Sequence, residues 1–188
     1  MKRLTLALMV LMLSACVSVE YVTPYDPVID NGIREYKESI NTLAKNLGDQ
    51  AGTEAGTYEA NLAHYNALES KIDLLIERAN LQSAGRGCRL AEGISAQLAK
   101  VAPEPMIQTE EGDSYGCTER LLVLVKDQLD LLQNIHQSAD KCNAMASPRG
   151  TKISCLRATT SKAAMKITNQ SINAVWVVET AKKNGDNG

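Results

Sequence analysis

The chain has 188 residues, 44% of them hydrophobic and 22% charged, and carries a formal net charge of −2. That length gives room for one domain with a real core, and a mildly acidic chain without a basic block suits nucleic acid poorly, because phosphates call for clustered Lys and Arg. Phe is absent and Trp occurs once, so Leu, Ile, Ala and Val must build the interior, a palette that disfavours a β-sandwich and reads as all-α.

At the start, Lys2 and Arg3 precede an apolar run from Leu4 to Leu13, which closes on Leu13-Ser14-Ala15-Cys16. A basic head, an apolar middle and small residues before a cut form a secretory signal peptide. The run is nearer ten residues than the roughly 18 or more needed to span a bilayer, so a retained transmembrane helix is not expected. Residues 13–16 resemble the lipobox of bacterial lipoproteins at all four positions. The resemblance covers only residues 1–16. It implies removal of residues 1–15, diacylation of the Cys16 sulphur and acylation of its new amino terminus. Three acyl chains at roughly 0.8 kcal/mol per buried methylene would hold the protein to a membrane essentially permanently. In Gram-negative members of the family an aspartate directly after the cysteine retains the protein at the inner membrane. Here that residue is Val17, which points to the outer membrane with the domain facing the periplasm. Secretion after an ordinary cut and display on the cell surface are the alternatives. Losing Lys2 and Arg3 with the leader moves the formal charge from −2 to −4.

Residues 16–25 then form the lipidated cysteine and a short tether, whose nine residues after Cys16 reach about 30 Å when extended. Asp26-Pro27 reads as an N-cap followed by proline at the first helical position. From there Ile29, Ile33, Tyr36, Ile40, Leu43 and Leu47 recur in three- and four-residue steps, one apolar stripe of an amphipathic helix. Gly48 to Gly56 breaks it. Tyr58, Leu62, Tyr65, Leu68, Ile72, Leu75 and Ala79 form a second stripe, which ends before Gly85-Arg86-Gly87, and two antiparallel helices are the simplest result. A shorter helix runs from about Leu90 to Val101 and stops at Pro103. Residues 103–116 form one long polar loop. The next helix is expected near Thr118 to Lys141, apolar all round in its first turns and so packed on several sides. The last is expected from about Ile153 to Lys183, with Leu156, Ala163, Ile167, Ala174 and Val178 on one face. The prediction is an all-α, antiparallel bundle of about five helices over residues 26–183, with a disordered tail at 184–188.

Once Cys16 is assigned to lipid, Cys88, Cys117, Cys142 and Cys155 make an even set in an oxidising compartment, so two disulfides are expected. Four cysteines allow three pairings. The short connection around Ser147-Pro148-Arg149-Gly150 favours Cys142 with Cys155, which leaves Cys88 with Cys117. Neither a C-x-x-C pair nor a nearby histidine supports zinc.

Candidate chemistry is thin. His64 and His136 read as solvated or hydrogen-bonded helix residues, and the sharper alternative is a haem or metal site between facing helices. That alternative lacks a C-x-x-C-H motif, and Asn61 and Gln133 stand where a Glu-x-x-His pair would need glutamates. There is no G-x-S-x-G turn for a serine nucleophile. Glu104, Glu110, Glu111 and Asp113 supply carboxylates without a recognisable frame, and their spacing is not that of an EF-hand. No enzyme, metal or cofactor is expected.

Two features mark an interaction surface. Loops longer than about twelve residues in compact domains are often functional, and this one sets Met106, Ile107 and Tyr115 among acids. In Val175-Trp176-Val177-Val178, four large apolar residues cannot share one helical face, and Trp176, if exposed, is a natural anchor for a partner. The expectation is a non-catalytic, periplasm-facing lipoprotein that binds the membrane through Cys16 and an envelope protein through its domain. It would serve as an accessory or pilot subunit, or as an inhibitor, immunity or exclusion protein. Carriage of a small apolar ligand, haem or metal in the bundle interior is the alternative.

Overall fold

The first helix starts where its residue types place the start. Asp26 has an extended backbone, its carboxylate accepts the Val28 N–H at 2.8 Å, and Pro27 opens α1 (Pro27–Asp49), where its missing N–H costs nothing. The computed structural model describes residues 23–85, 87–88, 92–101, 114–138 and 155–185. The expected signal peptide with its lipobox, the expected tether up to Val22, Cys142 and the tail beyond Gly185 lie outside the described residues.

After α1, a turn of 3-10 helix, Glu54–Gly56, leads into α2 (Tyr58–Ser83). Gly56 is required there, because a Cβ would lie 2.2 Å from the Gln50 carbonyl oxygen. The Thr57 hydroxyl accepts the Ala60 N–H and caps α2. Three helices follow: α3 (Glu92–Val101), α4 (Cys117–Gln137) and α5 (Ala158–Lys183). Every regular element among the described residues is helical.

α1, α2, α4 and α5 close a ring in which each packs against two neighbours, α1 on α2 and α5, and α4 on α2 and α5. Side-chain pairs give the direction of each neighbour. Glu35 meets Lys71 and Asp26 meets Arg78; Lys126 meets Asp73 and Glu119 meets Asn80. Along the α1–α5 seam, Lys37 donates to Asn173 and Asn41 to Asn169. In each seam one number rises as the other falls, so neighbours are antiparallel and the ring is an up-and-down four-helix bundle. The short α3 packs on α5.

The centre is filled by Ile33, Tyr36 and Ile40 of α1, Tyr65 and Ile72 of α2, Leu122, Val125, Leu129 and Leu132 of α4, and Ile172, Val175 and Val178 of α5. Burying one such side chain is worth about 1.5–3 kcal/mol. Three stripe assignments fail in detail. Leu62, Ala163 and Ile167 are exposed, and the inner face of α5 runs through Ser161, Met165, Thr168, Ser171, Ile172, Ala174, Val175 and Val178, of which only Ala174 and Val178 belong to the expected stripe. The ends of the later helices also shift. α4 gives way to a turn at Ser138, whose hydroxyl bonds back to the Asn134 carbonyl, and α5 begins at Ala158, after a non-helical Cys155–Arg157.

Cys88 and Cys117 form a disulfide that ties the chain after α2 to the first residue of α4. It spans 29 residues of sequence. Loss of chain entropy over such a loop is worth about 3–4 kcal/mol. Cys88→Ser with Cys117→Ser should lower the unfolding free energy by about that amount in urea titrations, while the helical circular dichroism of the folded protein stays unchanged.

Candidate functional site

The most elaborate arrangement of polar side chains lies where α1 and α4 begin and α2 and α5 end. Glu179 and Lys182, one turn apart on α5, are both fully buried and paired at 2.6 Å. All three protons of the ammonium are used: Lys182 donates to Glu179 Oε1, to Thr118 Oγ1 at 2.7 Å and to Thr23 Oγ1 at 2.8 Å. Glu179 in turn accepts the Thr118 hydroxyl at 2.6 Å and the Asp26 backbone N–H at 3.3 Å. Asp26 extends the network to α2, where its Oδ2 accepts from Arg78 and Gln82. Four helix termini and the last stretch before α1 are thus joined through one buried centre.

The charges are placed with the backbone field. Glu179 reaches the amino termini of α1 and α4, where free N–H groups favour an anion, and Lys182 sits in the last turn of α5, where carbonyls favour a cation. Burial pushes the Lys182 ammonium below its ordinary value, and Glu179 and Asp26 pull it back. Burial also raises the Asp26 carboxyl, but the Arg78 hydrogen bond and the Val28 amide outweigh it and hold Asp26 below the ordinary carboxylate value.

Beside this centre, Glu119 stands three residues into α4 and accepts the Gly116 N–H at 3.1 Å, half of a capping box whose other half a glycine cannot supply. Its two oxygens also accept from Asn80 and Ser83 of α2. Gly116 permits that approach, since a Cβ would lie 2.5 Å from Ser83 Cβ.

The opposite end holds a second polar centre. His136, in the last turn of α4, is fully buried. Its Nε2 lies 3.0 Å from the Gly56 carbonyl, which can only accept, so Nε2 carries the proton and Nδ1 accepts the Tyr65 hydroxyl at 3.0 Å. The Tyr58 ring meets the imidazole edge-on. Both ring nitrogens are engaged within the fold, which makes His136 a structural residue. His64, by contrast, lines an open groove of about 580 Å³ between α1 and α2, together with Glu38, Asn46, Asn61 and Lys71. Between the two ends, the fully buried Tyr36 hydroxyl has no hydrogen-bond partner among the described residues, and burial raises its pKa.

Of the residues singled out in the sequence, Trp176 is 37% exposed and Tyr115 is exposed at the start of α4. The Arg34 guanidinium lies 4.6 Å and the Lys37 ammonium 5.7 Å from the Trp176 ring centre, so cations roof the indole. Met106, Ile107 and the acidic residues 104–113 fall outside the described residues. The largest apolar exposures come from residues that the stripes pass over: Leu74 at 65% and Leu81 at 74%. Seven residues apart, they lie on one line of α2 about 10 Å from each other, opposite its buried face. Among the described residues no group of three or more His, Cys, Asp or Glu could hold a metal ion, and no helix is long and apolar enough to cross a membrane.

Compared with protein-family models, with curated proteins and with solved structures, the chain matches none.

Sequence patterning missed the first polar centre, and of the second it offered only His136 as a hydrogen-bonded helix residue, without its partners. The only written signal for the first is an acid and a base three residues apart, Glu179 and Lys182, beside an apolar run, and the second joins residues 71 positions apart.

Two outcomes test these centres. Glu179→Leu or Lys182→Met alone strands a buried charge and should cost about 3–5 kcal/mol in chemical unfolding, whereas the double variant should fall short of the summed singles by about 2 kcal/mol. The second concerns pH. Burial holds the His136 imidazole below its ordinary value, while the Gly56 carbonyl and Glu59 act the other way. The unfolded chain therefore binds the proton first as pH falls. Stability should be complete above about pH 6.5 and decline below it. In a His136→Gln variant that decline should be smaller.

Proposed function

We propose that the protein is a lipid-anchored, periplasm-facing binding module of the outer membrane, without catalytic activity, that docks another envelope protein through the outer surface of α2. The observation that carries this reading is the pair Leu74 and Leu81, which project into solvent from a helix whose opposite face is fully committed to the core. Exposed leucines aligned on one helical line offer apolar anchors of the kind a partner helix or groove covers. Leu62 adds a third exposed apolar side chain to the same helix. Tyr115 and Trp176 stay candidate contacts on other faces, with Met106 and Ile107 beside Tyr115 in sequence.

The anchor is Cys16, and the reading rests on the lipobox at residues 13–16 and on the short tether that follows. A second staple, Cys142 with Cys155, belongs to the same reading. Cys155 is buried and disulfide-bonded, and it sits directly before α5. A disulfide-stapled bundle on a short lipid tether suits an accessory or pilot subunit of an envelope assembly, and equally an inhibitor, immunity or exclusion protein. Carriage of an apolar ligand or haem has less support. The described interior is filled by side chains, and His136 already spends both ring nitrogens on the fold.

Photo-crosslinking in intact cells from positions 74 and 81 tests the docking surface. A discrete adduct should form from both positions, and Leu74→Glu with Leu81→Glu should abolish partner capture while shifting stability by less than about 0.5 kcal/mol. Capture that survives both substitutions would overturn it. Metabolic labelling with a palmitate analogue reads the anchor separately: the label should appear on the native protein and vanish in Cys16→Ala.

A further inference from the structure

Charge is segregated around the bundle. α5 is the one helix of the five with a positive balance, four lysines against one glutamate, and that glutamate, Glu179, is buried against Lys182. No carboxylate of α5 reaches solvent, whereas Lys162, Lys166 and Lys183 are exposed. Across the seam, α1 contributes Lys37 and Lys45, together with Arg34, whose charge Asp30 offsets. Its acids are turned away or neutralised: Asp30 is buried against Arg34 and Tyr25, Glu35 pairs with Lys71 on the α2 side, and Glu38 lines the α1–α2 groove. Asp49, which shares a shallow depression with Lys45 and Lys162, is the one exposed carboxylate on this seam among the described residues. α2, diagonally across the ring, carries Glu59, Glu69, Asp73 and Glu77 against Lys71 and Arg78. A chain that is acidic as a whole therefore presents one strongly basic side.

That side has the form of an interfacial surface. From Lys162 to Lys183 the cations are spread along about 31 Å of α5: Lys162 and Lys166 stand about 6 Å apart, inside a Debye length of about 8 Å, and Lys37 and Arg34 of α1, beside Asn173 and Trp176, occupy the interval before Lys183. Two aromatic rings sit among them at one end. Trp176 lies under Arg34 and Lys37, and the Lys183 ammonium is 5.5 Å from the Tyr25 ring centre. Trp and Tyr with flanking lysines partition to the boundary between acyl chains and head groups, with the charged heads reaching to the phosphates. The end that holds these rings is also the end where the tether enters at Asp26.

We propose that the α1–α5 face is a docking surface for an anionic phospholipid bilayer, against which the bundle lies side-on. The proposal rests on the lipid-anchor reading for its setting: ten residues from Cys16 to Asp26 keep this face within about 35 Å of the anchored surface. A bilayer fits better than an acidic protein, because the cations are spread along two helices rather than gathered in a pocket. An anchor also raises the local concentration enough for many weak contacts to hold.

The test uses the full mature chain with Cys16→Ala, exported behind an ordinary cleavable signal, so that no acyl chain contributes and the anchor reading is not at stake. Sedimentation with vesicles of phosphatidylcholine containing 30% phosphatidylglycerol should show at least about ten-fold tighter binding than with phosphatidylcholine alone, and about 0.5 M NaCl should remove the difference. Trp176 is the only tryptophan of the chain, so its emission reports this face alone, and it should shift to the blue on binding. Lys162→Glu, Lys166→Glu and Lys183→Glu together should cost at least ten-fold. Lys71→Glu, Lys100→Glu and Lys126→Glu, the same charge change on other faces, should cost less than about three-fold, with circular dichroism confirming that both triple variants fold. Equal losses in the two triple variants, indifference to the anionic lipid, or unshifted Trp176 emission on bound vesicles would each overturn the proposal. Retention by immobilised poly-glutamate without binding to vesicles would overturn it too and assign the face to an acidic protein.

Discussion

The buried pair of Glu179 and Lys182 is the constraint on which the rest of this bundle depends. Four apolar stripes could pack in several orders and registers, because leucine against isoleucine discriminates little between neighbouring arrangements. A fully buried ammonium has fewer solutions. Its three protons find Glu179, Thr118 and Thr23, and the carboxylate finds Thr118 and the Asp26 amide, only when α4 and α5 meet in the observed register and the chain before α1 lies across both. Any slip leaves a charge in a dry interior, at a cost of several kcal/mol. The pair therefore acts less as a source of net stability than as a selector among packings that apolar contacts alone would leave close in energy.

The second polar centre completes that selection from the other end. His136 binds the Gly56 carbonyl in the turn between α1 and α2 and accepts from Tyr65 on α2, so the end of α4 is fixed against the first hairpin. With one centre at each end, the registers of α2 and α4 are defined twice, while α5 is fixed by the first centre alone. Gly56 and Gly116 stand at the two close approaches that this geometry demands, one under the α1–α2 turn and one where α4 starts beside Ser83.

How far the sequence disclosed this architecture depends on what each helix buries. α1 was legible almost completely, because its N-cap, proline and apolar stripe all agree with its environment. The disulfide between Cys88 and Cys117 was also legible, once the other two cysteines were seen to flank a short connection. α5 was not. Its inner face is built from Ser161, Thr168 and Ser171 beside Met165 and Val175, and periodicity in hydrophobic residues cannot register hydroxyls. These hydroxyls are tolerated inside because they bond to main-chain carbonyls, Ser161 to Ala44 across the seam, Thr168 to Ala164 and Ser171 to Ile167 along the helix. The surfaces were the least legible of all. Leu74 and Leu81 stand outside the apolar stripe of α2, but nothing in the pattern marks them as a surface, and the basic side joins α1 to α5, the most distant helices in sequence.

The two surfaces make mechanical sense together. If the basic α1–α5 side lies on the bilayer, the ring places α2 and α4 away from it, and Leu74 and Leu81 are offered to the periplasmic space rather than to lipid. An anchor that left the bundle free to tumble would present those leucines in every direction. Two devices restrict it. Thr23 is tied to Lys182 and the Asp26 amide to Glu179, so the chain is already fixed to the bundle before α1 begins. Under the proposed bilayer contact, electrostatic attraction along about 31 Å of α5 would remove much of the remaining rotation. On that reading the buried ion pair would reach beyond folding: by holding Thr23 and Asp26 to the end of α5, it would set the angle at which an anchored bundle meets a membrane and hence the direction in which its apolar contacts face.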